Sequence, residues 1–315
     1  MKIVILDGIC ENPGDLSWEW LKEYGELTVY DRTPKDKIIE RSEGAEIILT
    51  NKTPLNAQTL SLLPDLKFIA VIATGYNIID TQYCKEHGIT VSNIPSYSTD
   101  AVAQNVFAHI LEHTNHLHSY SESVHNGDWS ACPDFCYQTF PIFELKDKTI
   151  GIFGYGKIGK QVARIALAFN MKVLVHTSHP GNQDGITFTD LDTLIRESDF
   201  ITLHCPLTEK TNGLVNEEFL SKMKKTAVII NTSRGPVIDE AALAAALHEG
   251  KIAGAGIDVM AVEPPKADNP LIKESNCSIT PHIAWAGFET RARLMDIMKD
   301  NVRAFVSGSP INVVI

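Results

Sequence analysis

The chain has 315 residues, 44% of them apolar and 21% charged, and carries a formal net charge of −11 at pH 7. That length is long for one core and suits two domains of ordinary size. The acidic balance, with no block of Lys or Arg, argues against nucleic acid or an anionic membrane surface as a partner, and no apolar run is long enough to span a bilayer. The opening MKIVILDG reads as a strand and a turn, not a signal peptide. The six cysteines (Cys10, Cys84, Cys132, Cys136, Cys205 and Cys277) are scattered, as expected of reduced thiols in a cytoplasmic protein. Cys132 and Cys136 have no second pair at zinc-like spacing, so no metal is expected there.

Residues 1–97 alternate apolar strands with amphipathic helices. MKIVIL, LTVYD, EIILT, LKFIAVIAT and ITVS read as strands. DLSWEWLKEYG, PKDKIIERSEG, LNAQTLSLL and IDTQYCKEHG read as the helices between them. The pattern predicts a small parallel α/β domain of five strands with no glycine-rich phosphate loop. Around Pro95 to Thr99 the chain is expected to cross into a second domain. It enters through one long helix, Asp100 to His118, with Val102, Val106, Ile110 and Leu117 along a single face. The same stretch carries His109, His113, His116 and His118. With no carboxylate or cysteine set to complete a metal site, these are read as helix surface or interface.

The segment TIGIFGYGKIGKQVARIALAFNMKVLVHT, Thr149 to Thr177, organises everything after it. An apolar strand turns through Gly154, Gly156 and Gly159 into a helix, which returns as a second strand. G-x-G-x-x-G in a βαβ unit signifies dinucleotide binding. The glycines allow the turn and the close approach of a pyrophosphate, and the helix N-terminus offers unpaired N–H groups and the positive end of its dipole. Tyr155, Lys157 and Ile158 share that turn. Further strands follow (DFITLH, TAVIIN, KIAGAGIDV and SIT), making six in all around the glycine turn, in doubly wound Rossmann order. Asn216 is a plausible N-cap for NEEFLSKMKK. After Pro281 a helix from about Phe288 to Val306 is expected to return to the first domain. The expected boundaries are 1–97 with 286–315 for a discontinuous, flavodoxin-like substrate domain, and 98–285 for the dinucleotide domain. Two crossings imply a hinged pair of lobes with a ligand cleft.

Ligands bind outside the carboxyl ends of parallel strands. TAVIIN is followed by Thr232-Ser233-Arg234-Gly235, GAGID by Val259 to Glu263, and SIT by Pro281-His282. An arginine, a glutamate and a histidine therefore fall on the same sheet edge as the glycine turn. Together GYGKIG, HCPLT (204–208), NTSRG (231–235), GIDVMAVEP (256–264) and PHIAWA (281–286) resemble the D-isomer-specific 2-hydroxyacid dehydrogenases over essentially the whole chain. LDG…NPGDLSW, NKTPL (51–55) and ATGYNIID (73–80) look most like the glycerate dehydrogenase, or hydroxypyruvate reductase, branch.

The resemblance implies an NAD(P)H-dependent reduction of a small 2-keto acid to the D-2-hydroxy acid, hydroxypyruvate to D-glycerate or glyoxylate to glycolate. It implies Arg234, Glu263 and His282 as the catalytic set. A guanidinium fork suits the carboxylate of a 2-keto acid, a histidine can protonate the developing alkoxide, and a glutamate on that imidazole fixes its tautomer. It further implies Thr74, Gly75 and Tyr76 as substrate contacts, chiefly through backbone N–H groups, with Asn51 and Lys52 as weaker candidates. Cys205, Pro206, Thr211, Thr232, Ser233, Asp258 and His282 are implied as cofactor contacts, Asp258 being equally readable as a structural strand-end carboxylate. Trp285 and Tyr76 are candidates for the side of the substrate that sets specificity. A homodimer built through the first long helix of the central domain is also implied.

One position departs from the family pattern. NAD-specific members place an Asp at the end of the second central strand, to hold the adenosine ribose. Here Thr177, Ser178 and His179 stand there, with no arginine. NADP(H) or dual use is the slight preference over NAD(H). The competing functional class is a nucleotide-sensing corepressor on the same fold, as in the C-terminal-binding proteins, which would not need turnover.

Overall fold

The computed structural model describes all residues, Met1–Ile315, and the chain divides into two compact units, Met1–Tyr97 with Ala286–Ile315 and Ser98–Trp285. No helix is long and apolar enough to cross a membrane.

The first unit holds a parallel sheet of β1 (Lys2–Ile5), β2 (Glu26–Val29), β3 (Ile47–Thr50), β4 (Phe68–Val71) and β5 (Thr90–Ser92) in the order β2-β1-β3-β4-β5. This is the flavodoxin-like order. Every residue of β3 and β4 is buried, as an all-parallel sheet covered on both faces requires. Two of the short covering helices are side-chain capped. Asn56 accepts from the Thr59 N–H at the start of Ala57–Leu60, and Asp80 from the Tyr83 N–H at the start of Thr81–Glu86. Helix Phe288–Val306 completes the unit, burying Leu294, Met298 and Val302 and stacking Phe305 on Phe68 with ring centroids 4.3 Å apart. Each such aliphatic burial contributes roughly 1.5–3 kcal/mol. Arg291, on the same helix, forks onto Asp15 with two bonds of 2.7 Å.

DLSWEWLKEYG forms only a short 3-10 helix, Glu19–Glu23, instead of the expected amphipathic helix. The turn before it holds the chain. Asn12 accepts from the Gly14 and Leu16 amides and donates to the Leu16 carbonyl, and within Glu19–Glu23 only Leu21 is buried. Little apolar face remains to reward a longer helix.

The second unit holds β6 (Thr149–Phe153), β7 (Lys172–His176), β8 (Ile186–Phe188), β9 (Phe200–Leu203), β10 (Val228–Asn231), β11 (Gly254–Ile257) and β12 (Cys277–Ile279). All are parallel, in the order β12-β11-β10-β9-β6-β7-β8. This is the Rossmann arrangement with its reversal between β6 and β9. The sheet has seven strands where six were expected. The additional one, β8, is a three-residue edge strand too short to register as an apolar run. Asn216 caps Glu217–Lys222 by accepting from the Phe219 N–H at 3.0 Å.

The first long helix also departs from expectation. It ends at Asn115, because His116 adopts a left-handed conformation (φ 48°), and a second helix, Leu117–His125, begins beyond it. Leu117 therefore leaves the apolar face and is 73% exposed. His109 and His113 are not helix surface. His109 is buried, sharing a hydrogen bond of 2.7 Å with Ser278 Oγ, and His113 Nε2 donates to the Ala255 carbonyl at 2.7 Å. Their rings lie over Gly254 and Gly256 of β11, where an added Cβ would come within 2.6 Å of them. Burial, and secondarily the neighbouring His113, pushes His109 down to about 4, so it is a neutral core group.

Candidate functional site

The glycine turn leaves the carboxyl end of β6 at the sheet's reversal point. Gly154 has φ +95°, and a Cβ there would lie 2.6 Å from the His204 carbonyl oxygen at the end of β9. Only glycine satisfies both constraints. A Cβ at Gly159 would lie 2.2 Å from the Gly154 carbonyl, so helix Lys157–Ala168 packs directly on the turn. At Gly156, by contrast, a Cβ would meet nothing within 4 Å. No side chain caps the helix N-terminus. Its first N–H groups, at Lys157, Ile158 and Gly159, are thus left for a ligand, with the positive end of the dipole behind them.

Other expected cofactor positions border this opening. Tyr155 donates from its hydroxyl to Gln183 at 2.9 Å and packs edge-on against Phe188. Thr177 Oγ1 accepts from the His179 N–H, and Ser178 Oγ and His179 Nδ1 lie 2.9 Å apart. No carboxylate stands among these three. After β9, Cys205 is buried and its thiol is pushed up to about 11 by that burial. Thr211 closes the next turn, donating to the Pro206 carbonyl at 2.7 Å. At the end of β10, Thr232 Oγ1 is buried without a hydrogen-bond partner. Such a group normally finds one. The open space at Gly156, the uncapped helix and the orphaned Thr232 hydroxyl all fit a dinucleotide lying along this edge.

Arg234, Glu263 and His282 follow β10, β11 and β12, three adjacent strands. Glu263 Oε2 and His282 Nδ1 are 2.8 Å apart, while Glu263 Oε1 accepts from the Met260 N–H at 3.1 Å. Nδ1 is thereby committed to the carboxylate, which leaves Nε2 to face a reactant. His282 has a left-handed backbone (φ 53°), a costly conformation for a residue with a Cβ. It is held there by its N–H, which donates to the Asp258 carbonyl at 2.8 Å. The Asp258 side chain completes the clamp, accepting from Thr280 Oγ1 at 2.6 Å and from the Ile283 and Ala284 amides at 2.9 and 3.0 Å. Burial raises the Asp258 pKa, opposed by these three donors. Both its oxygens are thus used to shape the His282 turn, in keeping with the structural strand-end reading.

The Arg234 loop is shaped by a residue that the motif reading did not single out. Buried Asn231 donates to the Arg234 carbonyl at 2.9 Å and accepts from the Ser233 N–H and hydroxyl. Gly235 then lies so close to the Met260 carbonyl carbon that a Cβ would come within 2.0 Å of it, so the β10 and β11 loops are packed together. Arg234 itself is exposed, and its guanidinium donates only to the neighbouring Ser233 carbonyl, at 2.7 Å. An asparagine closing a strand was the available signal for Asn231, but its loop-shaping role depends on turn geometry.

In the first unit, Thr74, Gly75 and Tyr76 follow β4. Thr74 Oγ1 donates to the Ile94 carbonyl at 2.8 Å, and Asn93 donates to the Thr74 carbonyl at 2.7 Å. The Gly75 and Tyr76 amides donate to no protein group. Asn51 and Lys52 follow β3 and are organised by Asp7. Its carboxylate accepts from the Asn51, Lys52 and Thr53 amides at 2.9, 2.7 and 2.7 Å.

Comparison with known proteins agrees with this architecture. Residues 107–284 match the model of the D-isomer specific 2-hydroxyacid dehydrogenase, NAD binding domain. The chain belongs to that family. It is 47% identical to a hydroxypyruvate reductase of Blautia hydrogenotrophica, covering 100% of this chain and 99% of that one. It is 44% identical to a glycerate dehydrogenase of Methylorubrum extorquens, covering 99% and 98%. Among solved structures, an acyclic imino acid reductase in complex with NADPH and D-Arg superposes over all of both chains, with a TM-score of 0.86 at 34% identity. The chain is a D-2-hydroxyacid dehydrogenase, an oxidoreductase that uses a nicotinamide cofactor on a small hydroxy or keto acid.

Proposed function

We propose that this enzyme reduces hydroxypyruvate to D-glycerate, with glyoxylate as a second acceptor of the same chemistry. The two relatives that match nearly end to end at 44–47% identity support the substrate. The observation that carries the chemistry is the Glu263–His282 contact of 2.8 Å on the sheet edge that also bears the open glycine turn. Residues 98–285 are read as the dinucleotide domain, and residues 1–97 with 286–315 as the substrate domain. Gly154 to Gly159, Thr177 to His179, Cys205, Pro206, Thr211, Thr232 and Ser233 would hold the cofactor, which supplies the hydride when bound. Arg234 takes the keto acid's carboxylate as a fork. In the first unit, Thr74, Gly75 and Tyr76 are read as a loop for a small anion, through the amides of Gly75 and Tyr76. His282 delivers a proton from Nε2 to the carbonyl oxygen as negative charge develops there, and Glu263 stabilises the imidazolium and fixes its orientation. Nothing observed favours the corepressor reading.

Thr177, Ser178 and His179 support NADP(H) or dual use, since no carboxylate there would repel a 2′-phosphate. The NADPH bound in the imino acid reductase supports the same preference. A homodimer is supported by the segment after the first long helix, where Leu117, Trp129, Phe135, Ile142 and Phe143 are exposed, Phe135 by 90%. The deciding assay follows loss of dihydronicotinamide absorbance with NADPH or NADH and a panel of hydroxypyruvate, glyoxylate and pyruvate. The highest kcat/KM is expected for hydroxypyruvate. No turnover with any keto acid overturns the reading, and a clear preference for another acid reassigns the substrate.

A further inference from the structure

His282, the proton donor of the proposed reaction, hangs from a weakly held strand. β12 has three residues, lies at the sheet edge and pairs only with β11, in the register Ala255–Cys277, Gly256–Ser278 and Ile257–Ile279. An edge strand has a single ladder to fix it. A second fastening comes from His109, on helix Thr99–Asn115. Ser278 and Thr280 are two positions apart and project to one face of the strand. The imidazole meets both, with Nδ1 2.7 Å from Ser278 Oγ and Nε2 3.3 Å from Thr280 Oγ1. The bonds run in one direction. Thr280 donates its hydroxyl proton to Asp258 Oδ1 at 2.6 Å, so from His109 it accepts. Nε2 therefore carries the ring proton, and Nδ1 accepts from the Ser278 hydroxyl. The chain ends on Asp258, whose carboxylate takes the Ile283 and Ala284 amides and whose carbonyl takes the His282 N–H.

We propose that His109 is a positioning residue for His282: its two ring nitrogens tie the edge strand to helix Thr99–Asn115 and, through Thr280 and Asp258, set the turn that aims His282 Nε2. This rests on the reading of His282 as the proton donor. An apolar side chain could fill the layer over Gly256 with no bonds to satisfy, whereas a buried imidazole has to find partners for both nitrogens. What the imidazole adds is direction. It bonds to Ser278 and Thr280, on and just beyond the strand that leads to His282. His113, one helical turn further on, does the same for the neighbouring strand, with Nε2 donating to the Ala255 carbonyl of β11 at 2.7 Å. β11 leads to Glu263. One helix face thus holds both strands whose following loops bring Glu263 and His282 to 2.8 Å. Burial keeps His109 neutral, as a ring that donates at one nitrogen and accepts at the other must be.

The test is a double-variant cycle, reading kcat and KM for hydroxypyruvate in His109→Leu, Thr280→Val and the two combined, with Thr280→Ser alongside. Each of the first two is expected to lower kcat by roughly 10–100-fold, with KM close to that of the wild type. The combined variant should lose no more than the worse of the two, because both cut one chain. Thr280→Ser keeps the hydroxyl and should keep the wild-type kcat. Losses that multiply in the combined variant, a loss carried by KM instead of kcat, or a wild-type kcat in His109→Leu overturns the proposal. If His109→Leu does not fold, nitrogen NMR of the imidazoles decides. In the wild type the His109 ring is expected to be protonated at Nε2, and in Thr280→Val its Nε2 signal should move together with the His282 signals. A ring protonated at Nδ1, or His282 signals that stay in place, overturns the proposal. Failure of the wild type to reduce any keto acid would instead remove the reading of His282 as proton donor, so the two failures are distinct.

Discussion

The two sheets meet the same topological situation with opposite chemistry. Each is parallel and doubly wound, and each has a reversal point where two loops diverge, between β1 and β3 in the first unit and between β6 and β9 in the second. In the second unit that point is lined by Gly154 and Gly156, and the donors of an uncapped helix face outward. In the first, Asp7 occupies it and accepts from three consecutive backbone amides. A reversal point binds a phosphate only if its N–H groups are left unclaimed. Here the first unit supplies its own anion, so topology alone does not make it a nucleotide site.

The comparison can be broken at several places. The largest effect is expected at the open edge, where His282→Asn should lower kcat by roughly 10²–10⁴-fold with cofactor affinity, measured by fluorescence titration, nearly unchanged. An unaltered kcat would remove the histidine from proton transfer. At the plugged edge, Asp7→Asn replaces one accepting oxygen with an NH2 that points at protein donors. Urea unfolding should show a loss of about 1–3 kcal/mol for each amide left unpaired. Unchanged stability would mean that those amides find water at no cost. Glu11, buried in the turn after β1, should also appear in a stability–pH profile. The folded chain keeps this proton up to about pH 7, whereas the unfolded chain releases it near the ordinary value of 4.5. Stability from this group is therefore present below about 4.5 and is lost as pH rises through 7, on the order of 3 kcal/mol in all. Glu11→Gln should flatten that part of the profile. The smallest effect concerns cofactor choice. Thr177→Asp should shift the NADPH/NADH ratio of kcat/KM toward NADH by about tenfold, the equivalent of roughly 1.4 kcal/mol. No shift would place the choice elsewhere.

What could be read from the sequence follows from how local each cause is. Apart from the three-residue edge strand β8, the strands of both sheets were legible because buried parallel strands write themselves as apolar runs such as IILT and VIIN. The strand-end rule put Arg234, Glu263 and His282 on one edge, but their spacing depends on loops that sequence does not describe. The Asn231 bracket and the left-handed His282 were invisible for that reason, whereas Asp258 was already readable as a structural strand-end carboxylate. His109 and His113 were misread because polarity was weighed without their opposite number. Two glycines a hundred and forty residues away in β11, Gly254 and Gly256, make the room that turns surface histidines into core. The break at His116 was missed because the apolar spacing continues to Leu117 even though the backbone does not.

Helix Phe288–Val306 has a consequence for the order in which the molecule can be made. The first 97 residues leave the ribosome without the helix that buries Phe68 under Phe305 and fixes Asp15 through Arg291. The second unit, Ser98–Trp285, is contiguous and is synthesised whole before that helix exists. Domains fold as units as they emerge. During vectorial synthesis the part encoded first is therefore the part finished last.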